Sequence, residues 1–329
     1  MSNRSLLPVE AASPLETVRR LLARVWREAD LDGMLVPIWK AEEHVMQAAL
    51  LQVPEQLANA DPFSPVMLAN GAPLAARLLR MPRQKRLGVV LRPCELRSLK
   101  ELARRDGFSL ESALLISPDC VATLAPEDYD WQVTHLVDNE QLTRDALHFA
   151  AQGGILPSRL RPSCQLCDRP FPETADIHIQ LLGVETSRHL MVEIRDPRLA
   201  QALGLGPEQI APIPAEVTER RERVLSKLVT WRQQARAYAE SHLGEIQGSL
   251  EGLSSHLQSC PVCRERMTSH CPFFARAWAA SSGGAELPAL EDWLLSCAGC
   301  GMCEYSCPEG YPLFTVISHL GHKLTARVH

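Results

Sequence analysis

The stretch RLGVVLRPCELRSLKELARRDGFSLESALLISPDC, residues 86–120, has the pattern of a strand, a helix and a second strand. The run 86–92 is apolar, and Pro93 then begins a series of good helix formers that Gly107 ends. The run 112–118 is again strand-like. Two short apolar strands joined by one helix are expected to be parallel neighbours with a right-handed crossover. The stretch therefore predicts an α/β fold with a parallel or mixed sheet.

A cysteine follows each of these two predicted strands. Cys94 comes just after the first strand and Cys120 just after the second. Parallel strands end at the same edge of a sheet, which is the usual ligand side of an open α/β sheet. Cys94 also lies at a predicted helix N-terminus, where unpaired amides and the helix dipole favour a thiolate. Both thiols are expected at this edge, although 26 residues separate them.

The flanking sequence adds elements of the same kind. Ser13, Pro14 and Glu16 have the pattern of a capping box and predict a helix that ends near Glu28. We further expect a strand at 34–38, a helix at 70–81, and a hairpin formed by two alternating runs around VETSRH, residues 184–189.

The stretch GLGPEQIAPIPAEV, residues 204–217, is rich in proline and glycine and is the best candidate for a domain boundary. A long, charge-dense helix is expected after it. We therefore predict an α/β domain at 1–210 and a smaller helical domain at 211–329 that carries a ferredoxin-like iron-sulfur motif.

Composition narrows the class of protein. The chain has 329 residues, 46% of them hydrophobic, and a formal net charge of -5 with no basic stripe, which argues against a nucleic-acid partner. No run of 18 apolar residues is present, and the first residues lack the layout of a signal peptide. A cytoplasmic protein without a membrane span is expected.

Eleven cysteines in such a chain need an explanation, because cytosolic thiols are kept reduced and seldom form disulfides. Metal ligation is the default alternative. The predicted metal ligands are Cys94, Cys120, Cys164, Cys167, Cys260, Cys263, Cys271, Cys297, Cys300, Cys303 and Cys307.

The strongest motif is CAGCGMCEYSCP, residues 297–308, with the spacing C-x2-C-x2-C-x3-C-P. This spacing wraps the backbone around a 4Fe-4S cubane, and the cysteine before proline can bind a second cluster. Gly299 and Gly301 allow the tight bend. Zinc is the weaker alternative, because structural zinc sites generally use two separated pairs of ligands.

An incomplete motif, CPVCRERMTSHCP, precedes it at residues 260–272, with Arg266 where a third closely spaced cysteine would stand. If each cysteine that precedes a proline binds the cluster of the other motif, Cys271 completes the cluster of Cys297, Cys300 and Cys303. Cys260, Cys263 and Cys307 then lack one ligand. His256 or His270 are candidates for it, or the cluster has only three irons. A zinc site or a degenerate remnant is the alternative.

The four remaining cysteines match the number of ligands in one cubane. These are Cys94, Cys120, Cys164 and Cys167, which come from distant parts of the sequence. Spacing alone leaves zinc or buried inert thiols as alternatives.

The motifs LRPCELRSLKEL, SPDC and CQLCDRPFPETADIHIQLLG occur in this order between residues 91 and 183. In that order they resemble the signature of the beta subunits of deazaflavin-reducing hydrogenases and formate dehydrogenases. The similarity covers roughly residues 30 to 200 and supports one cluster on the four cysteines. The matching positions are Pro93, Cys94, Cys120, Cys164, Cys167, Asp168, Ala175, Asp176, Ile177 and Gly183.

The resemblance implies an iron-sulfur flavoprotein that passes electrons through FAD, between a metal-containing catalytic subunit and a deazaflavin, nicotinamide or ferredoxin acceptor. FAD rests on the resemblance only, since no G-x-G-x-x-G follows a strand here. Two to three 4Fe-4S clusters are expected.

We therefore expect an oxidoreductase subunit that works with the catalytic subunit of a formate dehydrogenase or hydrogenase complex and with other iron-sulfur electron-transfer subunits. A flavin-free, ferredoxin-like adaptor that docks two redox enzymes is the alternative, and a zinc-binding structural protein is a third reading. No catalytic residue of hydrolytic type is recognisable.

Overall fold

The computed structural model describes residues 3–40, 45–81, 86–135, 138–153, 159–280, 287–303 and 310–328. Two compact units are present. The first contains Met1–Arg159 and Arg169–Val229, and the second contains Leu160–Asp168 and Thr230–His329. The division into domains at residue 210 stays a prediction.

The first unit is built on a seven-stranded sheet with the strand order β1-β7-β6-β5-β4-β2-β3. Strands β2, β4, β5 and β6 are parallel to one another, whereas β3, β7 and β1 each pair antiparallel with their neighbours. The predicted α/β class with a mixed sheet is therefore confirmed. The strands are β1 (Asn3–Pro8), β2 (Gly33–Lys40), β3 (Val45–Leu51), β4 (Leu87–Val90), β5 (Ala113–Pro118), β6 (Ile177–Gln180) and β7 (His189–Ile194).

Helices cover this sheet and join its strands. The first unit has α1 (Pro14–Glu28), α2 (Ala72–Leu79), α3 (Pro93–Asp106), α4 (Pro126–His135), α5 (Asn139–Gln152), α7 (Pro197–Ala202) and the first part of α8 (Ala215–Ser241). Short 3-10 helices occupy Glu10–Ala12 and Pro54–Asn59.

The stretch 86–120 folds as its sequence predicts. Strands β4 and β5 are parallel neighbours, with Val89 opposite Leu115. Helix α3 connects them and ends at Gly107, whose φ of 65° is left-handed and favours glycine. Its first turn is closed by Glu95, which accepts from the backbone N–H of Arg92 at 3.0 Å.

The other predicted elements of this unit are also present. Ser13 caps α1, accepting from the backbone N–H of Glu16 at 3.2 Å, and α1 ends at Glu28. Its apolar face, including Val18 and Leu22, is fully buried in the core against the sheet. The hairpin around VETSRH is the antiparallel pair β6 and β7.

Described parts of the second unit are helical. They include α6 (Pro162–Gln165), the end of α8, α9 (Leu250–Ser259), α10 (Pro261–His270), α11 (Phe274–Ala280), α12 (Leu287–Leu295) and α13 (Leu313–Val328). The buried side chains Leu257, Met267, Trp293 and Val316 belong to the core of this unit. Among the helices that the structure describes, none has the length and apolarity needed to cross a membrane.

Candidate metal and ligand sites

Cys94 and Cys120 lie at the same edge of the sheet. Cys94 is the second residue of α3, directly after the connection from β4, and Cys120 comes two residues after β5 ends. Since β4 and β5 are parallel neighbours, both cysteines follow carboxyl ends of adjacent strands. The backbone N–H of Cys120 donates to the carbonyl of Pro170 at 2.6 Å, which ties its loop to the segment that leads into β6.

Asp119, next to Cys120, is the centre of a buried charge network. Its carboxylate accepts from the Arg221 guanidinium at 2.5 and 3.2 Å and contacts His178 Nε2 at 2.7 Å. The backbone N–H groups of Leu181 and Leu182 also donate to it, at 2.8 and 3.0 Å. Burial alone would raise the pKa of Asp119, but Arg221 and His178 outweigh burial and hold that pKa well below its usual range.

Beside this network lies a cavity of about 580 Å³ on one face of β6 and β7. Small-molecule sites usually have roughly 300–1,000 Å³. Charged and polar side chains of β1, β6, β7 and α8 line much of it, together with Phe171, Met191 and Leu225. On these elements they are Arg4, His178, Gln180, Glu193, Thr218, Arg221 and Glu222, and the loop residues Glu173 and Arg195 line the cavity as well.

Gln180 is the least satisfied polar side chain of this cavity. It is only 2% exposed, and its Nε2 donates to Glu193 Oε2 at 2.8 Å. Its Oε1 is buried and has no hydrogen-bond partner within the described part of the chain. A buried acceptor of this kind costs about 1–3 kcal/mol when unpaired, so the cavity suits a molecule that offers an N–H or O–H donor.

In the second unit, the loop that carries Cys297, Cys300 and Cys303 bends as its glycines predict. Gly299 and Gly301 have left-handed φ values of 71° and 69°. Cys303 is buried, and the other two cysteines are partly exposed. Three thiols on one tightly bent loop are the arrangement that a cubane requires of its main ligand segment.

This loop packs closely against α6, which carries Cys164. A Cβ at Gly301 would overlap the Oγ of Ser163. Met302 Sδ accepts from the Arg161 guanidinium at 3.2 Å. The two cysteine-bearing segments therefore meet through Ser163 and Gly301, the residues next to Cys164 and Cys300.

Positive charge surrounds the end of the C-x2-C pair. Arg232 donates to the Cys167 carbonyl at 3.0 Å, and Arg236 forms an ion pair with Asp168. Burial would raise the pKa of Asp168, but the bonds from Arg236 outweigh it and lower that pKa. The two arginines therefore hold the backbone of Cys167 and the side chain of Asp168 in place.

Three candidate metal ligands lie close together in the described part of the second unit: His256, Cys260 and Cys263. Their ligand atoms all lie within 4.8 Å of one another, and His256 Nε2 is 3.4 Å from Cys263 Sγ. Cys260 caps α10, its Sγ accepting from the Cys263 backbone N–H at 3.4 Å. Burial lowers the pKa of His256, which favours the neutral imidazole that binds metals.

Cys271 ends α10 and is not a member of this group. Its Sγ accepts from Trp293 Nε1 at 3.5 Å, and burial raises the pKa of its thiol. Its role as a cluster ligand stays a prediction, as do those of Cys260 and Cys263. Cys307 lies outside the described residues.

The predicted cluster on Cys94, Cys120, Cys164 and Cys167 also stays a prediction, because the first two cysteines belong to the first unit and the last two to the second.

Sequence reasoning missed Asp119, His178, Gln180 and Arg221. His178 and Gln180 had a signal, since both are polar residues on one face of an otherwise apolar strand, IHIQ. No sequence signal distinguished Arg221, because its helix is dense in charge throughout.

The chain is similar to a curated protein, the F420-dependent formate dehydrogenase subunit beta of Methanocaldococcus jannaschii. The two are 22% identical over 286 residues, which cover 74% of this chain and 72% of the relative. The resemblance to this beta subunit family is therefore confirmed. No protein-family model matches the chain.

A solved structure of the F420-reducing NiFe hydrogenase complex from Methanosarcina barkeri, derivatised with xenon, aligns with a TM-score of 0.47 and 12% identity. The alignment covers 72% of this chain and 91% of that chain. A likeness at this level says nothing about function.

Proposed function

We propose that this relative of a formate dehydrogenase beta subunit is an electron-transfer subunit of an oxidoreductase. It relays electrons between a catalytic formate dehydrogenase or hydrogenase subunit and a soluble acceptor such as deazaflavin, nicotinamide or ferredoxin. The observation that carries the proposal is the loop of Cys297, Cys300 and Cys303, bent by two left-handed glycines and packed against the segment that carries Cys164.

The residues of this loop fit an iron-sulfur cluster. The three thiols come from seven consecutive residues, which suits a cubane and leaves room for one ligand from elsewhere in the chain. Cys303 is buried, and burial is one of the factors that set the reduction potential of a cluster. A cluster supplies one-electron transfer, and the protein supplies its position and its potential.

Contact between Ser163 and Gly301 supports a second cluster site close to the first. If Cys164 and Cys167 bind a cluster with Cys94 and Cys120, its ligand segment lies directly against the ligand segment of the other cluster. Arg232 and Arg236 fix the end of this segment through the Cys167 carbonyl and the Asp168 carboxylate.

The cavity beside Asp119 is the candidate flavin site of the first unit. Gln180 Oε1, which has no partner among the described residues, offers an acceptor to a ring N–H, and Arg195 offers positive charge to phosphate groups. Arg4 also lines the cavity but is paired with Glu193. Flavins, deazaflavins and nicotinamides all combine such a donor with an anionic part. A bound flavin supplies the exchange between hydride transfer and single-electron transfer.

Anaerobic purification of the full chain, with measurement of iron, sulfide and flavin, tests the proposal. We expect more than about four irons per chain, because the proposed relay has two or more cluster sites. Iron well below this value, with all eleven cysteines intact, would contradict the relay. Iron without flavin would instead identify a flavin-free adaptor.

Gln180→Met tests the assignment of the cavity. Because it removes the unpaired acceptor, flavin affinity should fall by about tenfold to a hundredfold. Gln201→Met, on the exposed face of α7, is the matched control and should bind flavin as the unmodified chain does. Equal affinity in both variants would place the flavin elsewhere.

A further inference from the structure

We propose that His256, Cys260 and Cys263 bind one zinc ion, with the fourth coordination position facing the adjoining cavity. This site goes beyond the proposed relay, which rests on the loop of Cys297 and on the Cys94 group. It also answers which residue joins Cys260 and Cys263: the ligand is His256 rather than His270.

The separation of the ligand atoms carries the proposal. With Zn–S bonds of about 2.3 Å and Zn–N bonds of about 2.0–2.1 Å, tetrahedral geometry places a sulfur and a nitrogen ligand about 3.6 Å apart. His256 Nε2 and Cys263 Sγ are 3.4 Å apart. Ligands of a cubane bind different iron atoms, so a metal–metal edge separates them as well. The observed distance fits one ion and is too short for two corners of a cluster.

The backbone fixes these ligands before any metal binds. His256 and Cys260 are four residues apart, one helical turn, and the Cys260 N–H donates to the His256 carbonyl at 2.9 Å. Proline at 261 starts α10, which places Cys260 at the positive end of the helix and lets its Sγ accept the Cys263 N–H. Hydrogen bonds from amides to a ligand sulfur are typical outer contacts of metal sites.

Tyr311 holds the imidazole in place from the other side. Its ring stacks on that of His256, with centroids 3.7 Å apart and planes inclined by 11°. The stacking restricts rotation of the His256 ring and keeps Nε2 directed at Cys263. Cys263 itself is 2% exposed, so the site is anchored in the core of the second unit.

A cavity of about 540 Å³ adjoins the ligands. His256 and Cys260 line it together with Gln247, Ser259 and Tyr311. Three protein ligands and one position open to a cavity are the pattern of zinc sites that bind a water or an external molecule. The external ligand is expected to be water or, because two thiolates already bind the metal, a soft donor such as a small thiol.

The test is the metal content of the full chain, purified anaerobically with zinc available, for the unmodified protein, His256→Ala and His270→Ala. We expect about one zinc per chain in the unmodified protein and in His270→Ala, and loss of that zinc in His256→Ala. Iron content and the paramagnetic resonance signals of reduced clusters should be unchanged in all three. The relay would remain tested separately by those signals.

Zinc absent from the unmodified chain overturns the proposal, because the contact of His256 with Cys263 is then only a hydrogen bond. Loss of iron and of a cluster signal in His256→Ala also overturns it and makes His256 a cluster ligand. If His256→Ala does not fold, His256→Cys replaces it, with cobalt(II) as a spectroscopic substitute for zinc. That variant should show stronger sulfur-to-cobalt charge transfer than the unmodified chain, and equal intensity counts against the site.

Discussion

Arg221 of α8 donates hydrogen bonds to both carboxylate oxygens of Asp119, at 2.5 and 3.2 Å, and both side chains are buried. The pair connects the end of β5 with a helix that lies 102 residues further along the chain. Arg221 also donates to the Leu182 carbonyl at 2.8 Å. The loop that presents Cys120 is therefore held by a charged contact in the interior, next to the candidate flavin cavity.

Arg221→Met should lower the free energy of unfolding by roughly 3–5 kcal/mol, because it leaves the Asp119 carboxylate buried without its cation. Urea unfolding near neutral pH measures the loss. Arg223→Met is the control, since Arg223 is exposed and pairs with exposed Glu219, so its removal should cost at most about 1 kcal/mol. Similar losses in the two variants would contradict the role of the buried pair.

The stabilisation by the Asp119–Arg221 pair depends on pH, and the direction in which folding shifts the pKa of Asp119 determines how. The pKa of Asp119 is lower in the folded protein than in the unfolded chain, so the pair stabilises the fold above the ordinary carboxyl range. This stability is lost as the pH falls below about 3.8, the ordinary value. The difference between the unmodified chain and Arg221→Met should therefore shrink in acid.

Asp61 should give the opposite pH dependence. It accepts from Thr143 Oγ1 at 2.6 Å and from the Phe63 N–H at 3.1 Å, but burial raises its pKa from 3.8 to about 6. The folded state then binds the proton more tightly, so its contribution is complete below about pH 4 and is lost as the pH rises through about 6. The loss should amount to about 3 kcal/mol.

Unfolding free energies measured across this pH range for Asp61→Asn check the assignment. The variant should lack the decline in the free energy of unfolding between about pH 4 and about pH 6, because an amide does not titrate. Asp30→Asn, which removes an exposed carboxylate, should keep the decline. An unchanged decline in Asp61→Asn would assign it to another group.

Gly301→Ala should disrupt the loop of Cys297 to Cys303, since φ is left-handed and the added Cβ would overlap Ser163. Gly310→Ala is the matched control: its φ of 63° is also left-handed, but a Cβ there meets no atom of the described residues within 4 Å. The control should lower the free energy of unfolding by about 1–2 kcal/mol, because alanine is disfavoured at a left-handed φ. Gly301→Ala should cost more and should lower the iron content.

Adding Ser163→Gly to Gly301→Ala removes the opposing side chain and should restore part of the lost stability. If Gly301→Ala and Gly310→Ala lose equal stability, and the double variant gains nothing, the close approach of the two segments is not what matters.

Cys94→Ala should remove a cluster that the C-terminal cysteines, Cys260 to Cys307, cannot replace. Ligands of one cubane act together, so Cys120→Ala and Cys164→Ala should remove the same signal, and the losses should not add. Low-temperature paramagnetic resonance of the reduced protein measures this, and Cys300→Ala serves as the comparison because it should remove a different signal. If Cys94→Ala keeps every signal and its full iron content, Cys94 is a packed thiol.

The sequence predicted the elements with strong local signals and missed those that depend on distant partners. The stretch 86–120 combines apolar runs, a proline and a terminal glycine, and it folds as predicted. Strand β1, NRSLLP, has no alternation that would identify it, and it exists because β7 offers an edge to pair with. Strand β3 likewise depends on the hairpin with β2.

The candidate sites show the same difference between features set by local sequence and features set by distant partners. Cysteine spacing and two glycines predicted the bent loop of Cys297 to Cys303, because the constraint lies within seven residues. The partner of Cys263 is decided by how α9 meets α10 and by the stacked ring of Tyr311, so spacing left His256 and His270 equally open. The Asp119 network brings together three elements that no local pattern connects.

Pairing of β1 with β7 joins Asn3 to Ile194, and Pro8 to His189. On the ribosome, β1 cannot find this neighbour until more than 180 further residues have been synthesised. The interior strands β2, β4 and β5 can associate earlier, whereas closing the β1 edge requires a contact of very large sequence separation, which slows folding. Until then the backbone donors and acceptors of β1 are open to pairing with other chains. We therefore expect the pairing of β1 to be a late step in folding, because of where this one strand lies in the sheet.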